Sequence, residues 1–78
     1  MAMTKAYVLI EVRTGHILDV AAALRGIPGL VSVDPVTGPC DIIVVFEAES
    51  LGAVGDLVTG HVHTIGDIAR TVTCLVVS

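Results

Sequence analysis

Asp34-Pro35-Val36-Thr37-Gly38-Pro39-Cys40-Asp41-Ile42-Ile43-Val44-Val45-Phe46-Glu47 reads as the end of one strand, a tight glycine turn and a buried strand. Pro35 has no N–H to give to a ladder, so it suits an edge or bulged strand rather than a central one. Gly38 supplies positive φ without a steric penalty. Residues 41–46 are almost uninterruptedly apolar, the pattern of a strand buried on both faces. The hairpin also carries chemistry. A turn with Gly38 and then Asp41 sets backbone N–H groups beside a carboxylate, an arrangement suited to a small zwitterion such as an amino acid. The plain alternative is that Gly38 only permits the turn and Asp41 only ends it.

Outward from this hairpin the elements follow in both directions. Residues 7–13 are rich in β-formers and form the first strand, closed by Thr14-Gly15. Ile17, Val20, Ala21, Leu24 and Ile27 recur at helical spacing, and Pro28-Gly29 stops that helix. Residues 30–33 open the second strand, which continues past Pro35. After the third strand, Ser50 is an N-cap for a helix with apolar positions Leu51, Val54, Leu57, Val58, Val62 and Ile65. Gly52, Gly55 and Gly60 weaken this helix by up to ~1 kcal/mol each, so it depends on tertiary contacts. Gly66-Asp67 ends it, and residues 68–77 supply the last strand.

The order is βαββαβ. Leu24-Arg25-Gly26-Ile27-Pro28-Gly29-Leu30 and Val62-His63-Thr64-Ile65-Gly66-Asp67-Ile68 share a pattern of apolar, spacers, isoleucine, breakers, apolar. The chain therefore divides into two βαβ halves. Right-handed crossovers then give an α+β ferredoxin-like fold: a four-stranded antiparallel sheet of order 4-1-3-2 with both helices on one face. The other face carries Val, Ile and Leu and has no cover within the chain. A second sheet is its natural cover, so face-to-face dimerisation as a dimeric α/β barrel is expected.

Composition points the same way. The 78 residues make one domain, residues 1–78, and 54% are hydrophobic while 15% are charged. A domain of this size leaves ~40% of its unfolded-state surface exposed, too much for so apolar a monomer. Tyr7 and Phe46 are the aromatic residues, which disfavours readers that stack single-stranded bases. The net charge of −4, with Lys5, Arg13, Arg25 and Arg70 scattered, disfavours direct nucleic-acid binding. No apolar run reaches the ~18 residues of a membrane span, and Met1-Ala2-Met3-Thr4-Lys5 lacks an apolar leader, so a cytoplasmic protein with no membrane partner is expected. Cys40 and Cys74 form no CxxC and are expected to be reduced.

Other chemistry-bearing residues are weaker candidates. His61 and His63 are two residues apart on a helix and point away from each other, and a third ligand such as His16 has no sequence-defined place, so no metal site is expected. Cys40 has no adjacent cation to lower its pKa and reads as a small buried residue. Glu47, Glu49 and Asp56 read as solvated charges rather than an acid/base pair. No cofactor is implied.

The runs Arg25-Gly26-Ile27-Pro28-Gly29-Leu30-Val31, Val36-Thr37-Gly38-Pro39-Cys40-Asp41-Ile42-Ile43-Val44 and Ile65-Gly66-Asp67-Ile68-Ala69-Arg70-Thr71-Val72-Thr73 resemble the effector-binding domain of the leucine-responsive regulatory protein/AsnC family, the RAM domain. The resemblance extends from Ala6 to Val77. It implies an amino-acid effector and a role in transcription regulation of amino-acid metabolism. It also implies a homodimer assembling to a tetramer or octamer, with effector held at a boundary between dimers. Its Gly-x-x-Asp turn falls on Gly38 and Asp41 and its threonine-rich last strand on Thr71 and Thr73, the ligand-binding positions it suggests. Pro39-Cys40 stands where the family more often has a polar and then an aromatic residue, and the second helix is unusually rich in glycine. Full-length members carry an upstream helix-turn-helix, so a stand-alone module without a DNA-binding domain is expected, acting through effector or through full-length family regulators.

Three rival readings remain open on sequence alone, one of them a pure oligomerisation or partner-binding module with no ligand. The ACT domain shares the βαββαβ order and binds amino acids, but its ligand glycine lies in the first loop, where Thr14-Gly15 is the weaker match. Small dimeric α/β-barrel enzymes need an interior His, Tyr, Trp or Asn cluster that this composition does not supply. A binding module rather than an enzyme is expected.

Overall fold

Alternation along the first strand sets the architecture. In the computed structural model, which describes residues 3–77, β1 (Thr4–Val12) turns Ala6, Val8 and Ile10 to one face, all fully buried. The expectation of no apolar leader rests partly on Met1-Ala2, which lies outside the described residues. Then come α1 (Ile17–Leu24), β2 (Leu30–Pro35), β3 (Ile42–Ala48), α2 (Leu51–Leu57) and β4 (Ile68–Leu75). Every pairing is antiparallel and the sheet order is β2-β3-β1-β4. This is the ferredoxin-like α+β fold that the sequence predicts.

The register pairs Ala6 with Phe46, Val8 with Val44 and Ile10 with Ile42 on the helix-covered face. Val20, Ala21 and Leu24 of α1, with Val58 and Val62 beyond α2, close over these pairs to form the core. On the opposite face Tyr7 meets Val45 and Leu9 meets Ile43, while β4 adds Val72 beside Leu9 and Cys74 beside Tyr7. No element among the described residues covers this second face, and Val72 is 44% exposed. Pro35 ends an edge strand, as its missing N–H requires, and the β2 register shifts between Leu30 and Ser32.

Both helices depart from the sequence expectation at their ends. The periodicity of α1 extends to Ile27, yet the helix stops at Leu24. Pro28 disfavours helical backbone at Ile27, which is buried through a turn instead, its N–H donating to the Leu24 carbonyl at 3.1 Å. In α2, Ser50 caps as expected, its Oγ accepting the Ala53 N–H at 3.1 Å. The helix then widens into a π-helical turn, Val58–Val62, where the His63 N–H reaches back five residues to the Val58 carbonyl at 3.0 Å. The cause is spacing. Val54, Val58 and Val62 recur every fourth residue, and an α-helix rotates such a row by about 40° per step. The wider turn offsets that drift and keeps Val62 fully buried. Thr64 Oγ1 donates to the His61 carbonyl at 2.7 Å, satisfying one group at the end of the turn.

No helix among the described residues is long and apolar enough to cross a membrane.

Candidate functional site: the β2–β3 hairpin and the sheet end it meets

The hairpin is fastened to the sheet through Asp41. The Asp41 N–H donates to the Ile10 carbonyl and the Asp41 carbonyl accepts the Val36 N–H, each at 2.8 Å. The Asp41 carboxylate accepts the Val12 N–H through Oδ2, also at 2.8 Å. Val12 sits where the β1–β4 register shifts. The Val12 N–H points toward β3, whose ladder with β1 ends at Ile10–Ile42, so the Asp41 side chain replaces a strand partner just past the end of that ladder. Oδ1 accepts from no group among the described residues, so one carboxylate oxygen remains available. Gly38 lies at the turn with φ +130°, and a Cβ there would meet nothing within 4 Å. The tip of the hairpin is open.

The two threonines lie on the other side of β1. Thr71 pairs with Ile10 and Thr73 with Val8, so both share the helix-covered face of edge strand β4. Thr71 Oγ1 is 3.2 Å from Nε2 of His63, while Thr73 is exposed. Two interstrand steps of ~4.8 Å place Thr71 roughly 10 Å across the sheet from Asp41, and Thr73, level with Val44, lies a further ~7 Å along the strand. A recess of about 200 Å³ lined by His63, Ile65, Ile68, Arg70 and Thr71 opens at the start of β4, and it includes neither Asp41 nor Thr73. Within one chain Gly38, Asp41 and Thr71 lie toward one sheet end and Thr73 toward its middle, and the four do not converge on one cavity.

Charges around this end are paired loosely. Arg70 Nε lies 3.5 Å from Glu11 Oε2 across β1 and β4. Nδ1 of His16 is 3.5 Å from Asp67 and 3.7 Å from Asp19, and the Asp67 carbonyl accepts the Arg13 N–H at 2.8 Å. The contacts Asp41 to Val12, Arg13 to Asp67 and His63 to Thr71 escape sequence reading, since each joins segments with no local signal for the other. Among the described residues no three His, Cys, Asp or Glu side chains gather as metal ligands. Cys40 is buried beneath the hairpin, and Cys74 is exposed on the uncovered sheet face.

The hairpin geometry and the βαββαβ order meet in one comparison: residues 5–78 match the Lrp/AsnC ligand binding domain. The chain belongs to that family. TTHA0845 from Thermus thermophilus is similar to this Lrp/AsnC domain with a TM-score of 0.93 and 28% identity, over 97% of this chain and 95% of that one. Escherichia coli AsnC matches with a TM-score of 0.90 and 18% identity, over 96% of this chain and 51% of its own. The regulator NMB0573 from Neisseria meningitidis, solved as a complex with L-Met, matches with a TM-score of 0.85 and 17% identity, over 96% of this chain and 50% of its own. At these identities the last two show the shared fold, and this chain spans about half their length. No curated protein matches the chain.

Proposed function

We propose that this Lrp/AsnC domain is an amino-acid-binding and oligomerisation module that acts in cytoplasmic transcription regulation, binding effector rather than catalysing a reaction. The observation that carries the reading is Asp41. Its carboxylate is positioned by the Val12 N–H through one oxygen while the other stays free, beside an open glycine turn. Oδ1 receives the ammonium of an α-amino acid, and backbone N–H groups of the hairpin other than that of Pro39 receive its carboxylate. The L-Met complex of the Neisseria relative supports this ligand class. The uncovered sheet face receives a second copy, and dimers pair further into a tetramer or octamer. Because Thr71 and Thr73 stand across β1 from Asp41, a neighbouring dimer completes the site. Regulation runs through this assembly and through full-length family regulators, without direct nucleic-acid contact by the domain.

Calorimetric titration with the twenty amino acids tests the reading, using the wild-type chain and Asp41→Asn. Asparagine keeps an oxygen for the Val12 N–H but removes the charge, so circular dichroism should be unchanged while affinity falls roughly tenfold or more. Undiminished affinity in Asp41→Asn would remove Asp41 from the site. Absence of binding by all twenty would remove the effector reading and leave oligomerisation alone.

A further inference from the structure

The end of the sheet far from the hairpin holds a second feature. Where β3 runs out at Ala48 beside the start of α2, a concavity of about 390 Å³ opens. Its floor is apolar, made by Pro28, Ala48, Ala53 and Leu57. Gly29 walls it closely: a Cβ there would stand 2.9 Å from the Glu47 carbonyl oxygen and 3.1 Å from Leu57 Cδ1. The rim carries Glu49, Asp56 and His61, all exposed, and no Lys or Arg among the described residues lines it. His61 belongs to the π-helical turn, an irregularity found often at functional sites. Six residue steps along β3 separate Ala48 from Ile42, so the recess lies roughly 20 Å from the hairpin.

We propose that this recess is a second ligand site, taking a small organic cation with a primary ammonium on an apolar body. The apolar body covers Ala53 and Leu57, while the ammonium exchanges part of its hydration for the carboxylates of Glu49 and Asp56 and the imidazole of His61. A carboxylate of the same shape meets like charge at the rim. The volume is that of a small-ligand cleft, within the usual ~300–1,000 Å³. A stable protein partner needs about 800 Å² on each side, which this single concavity does not offer, so the occupant is a compact molecule. The site does not depend on amino-acid binding at the hairpin.

Titration of the chain with n-pentylammonium and with pentanoate at pH 8, read by backbone amide NMR, tests the proposal. Pentylammonium should shift the Ala48, Ala53 and Leu57 amides saturably and bind at least about fivefold tighter than pentanoate, the scale expected of two exposed carboxylates. The Glu49→Gln/Asp56→Asn double variant should lose that preference. Ala53→Trp should fill the recess and abolish the shifts; if it does not fold, the double variant decides. Equal affinity for the two probes, shifts that do not saturate, or shifts confined to residues 36–41 would overturn the proposal.

Discussion

At the scale of single residues, two glycines with positive φ separate turn chemistry from close approach. Gly29 (φ +83°) lies against the Glu47 carbonyl and Leu57, whereas Gly38 (φ +130°) faces open space. Gly38→Ala should cost only backbone strain, about 1–2 kcal/mol. Gly29→Ala adds a clash with backbone and should cost about 2–4 kcal/mol. Urea unfolding of both variants checks the ordering, and equal losses would contradict the close approach. Asp41→Ala leaves the Val12 N–H without its acceptor, an expected loss of about 1–3 kcal/mol, which is why asparagine is the cleaner probe of ligand binding. The glycine turn and the aspartate were legible in the sequence because turn chemistry is local. The partner of Asp41 was not, since Val12 is 29 positions away and becomes a neighbour only when β1 and β3 pair.

Among the elements, stretches with local signals are legible in the sequence and those shaped by tertiary contacts are not. Pro35 marked an edge strand and Ser50 a helix start, each through its own backbone hydrogen bonding. The π-helical turn left no such mark. It follows from keeping Val54, Val58 and Val62 against the sheet, a demand made by the sheet rather than by the turn's own residues. A helix held this way should respond to propensity at its exposed positions. Gly55 is exposed, and a Cβ there would meet nothing within 4 Å, so Gly55→Ala should raise stability by about 0.5–1 kcal/mol. Ser50→Ala removes the bond to the Ala53 N–H and should lower it by about 0.5–2 kcal/mol. Thermal unfolding at one fixed protein concentration compares them, and a destabilised Gly55→Ala would mean that α2 needs the freedom of its glycines.

For the whole molecule, the proposed assembly turns on the uncovered sheet face. Its apolar stripe was legible from the near-continuous apolar strands, whereas what covers it was not, since no element among the described residues does so. Val72 stands on this face opposite Leu9 and is 44% exposed, so a charge there harms the monomer little and a sheet-to-sheet contact severely. Sedimentation at micromolar concentration should find the wild-type chain as a dimer or larger and Val72→Lys as a folded monomer. A wild-type monomer would refute the face-to-face assembly. At one end of the same sheet, Asp41 holds Val12, and the adjoining Arg13 N–H is held by the Asp67 carbonyl, so three distant segments are fastened at consecutive amides. To solvent, the Val12 amide is a gauge. A ligand that uses the free Asp41 oxygen leaves Val12 protected from deuterium exchange, whereas one that draws the whole carboxylate away releases it. The exchange rate of a single amide therefore reports how the carboxylate is engaged.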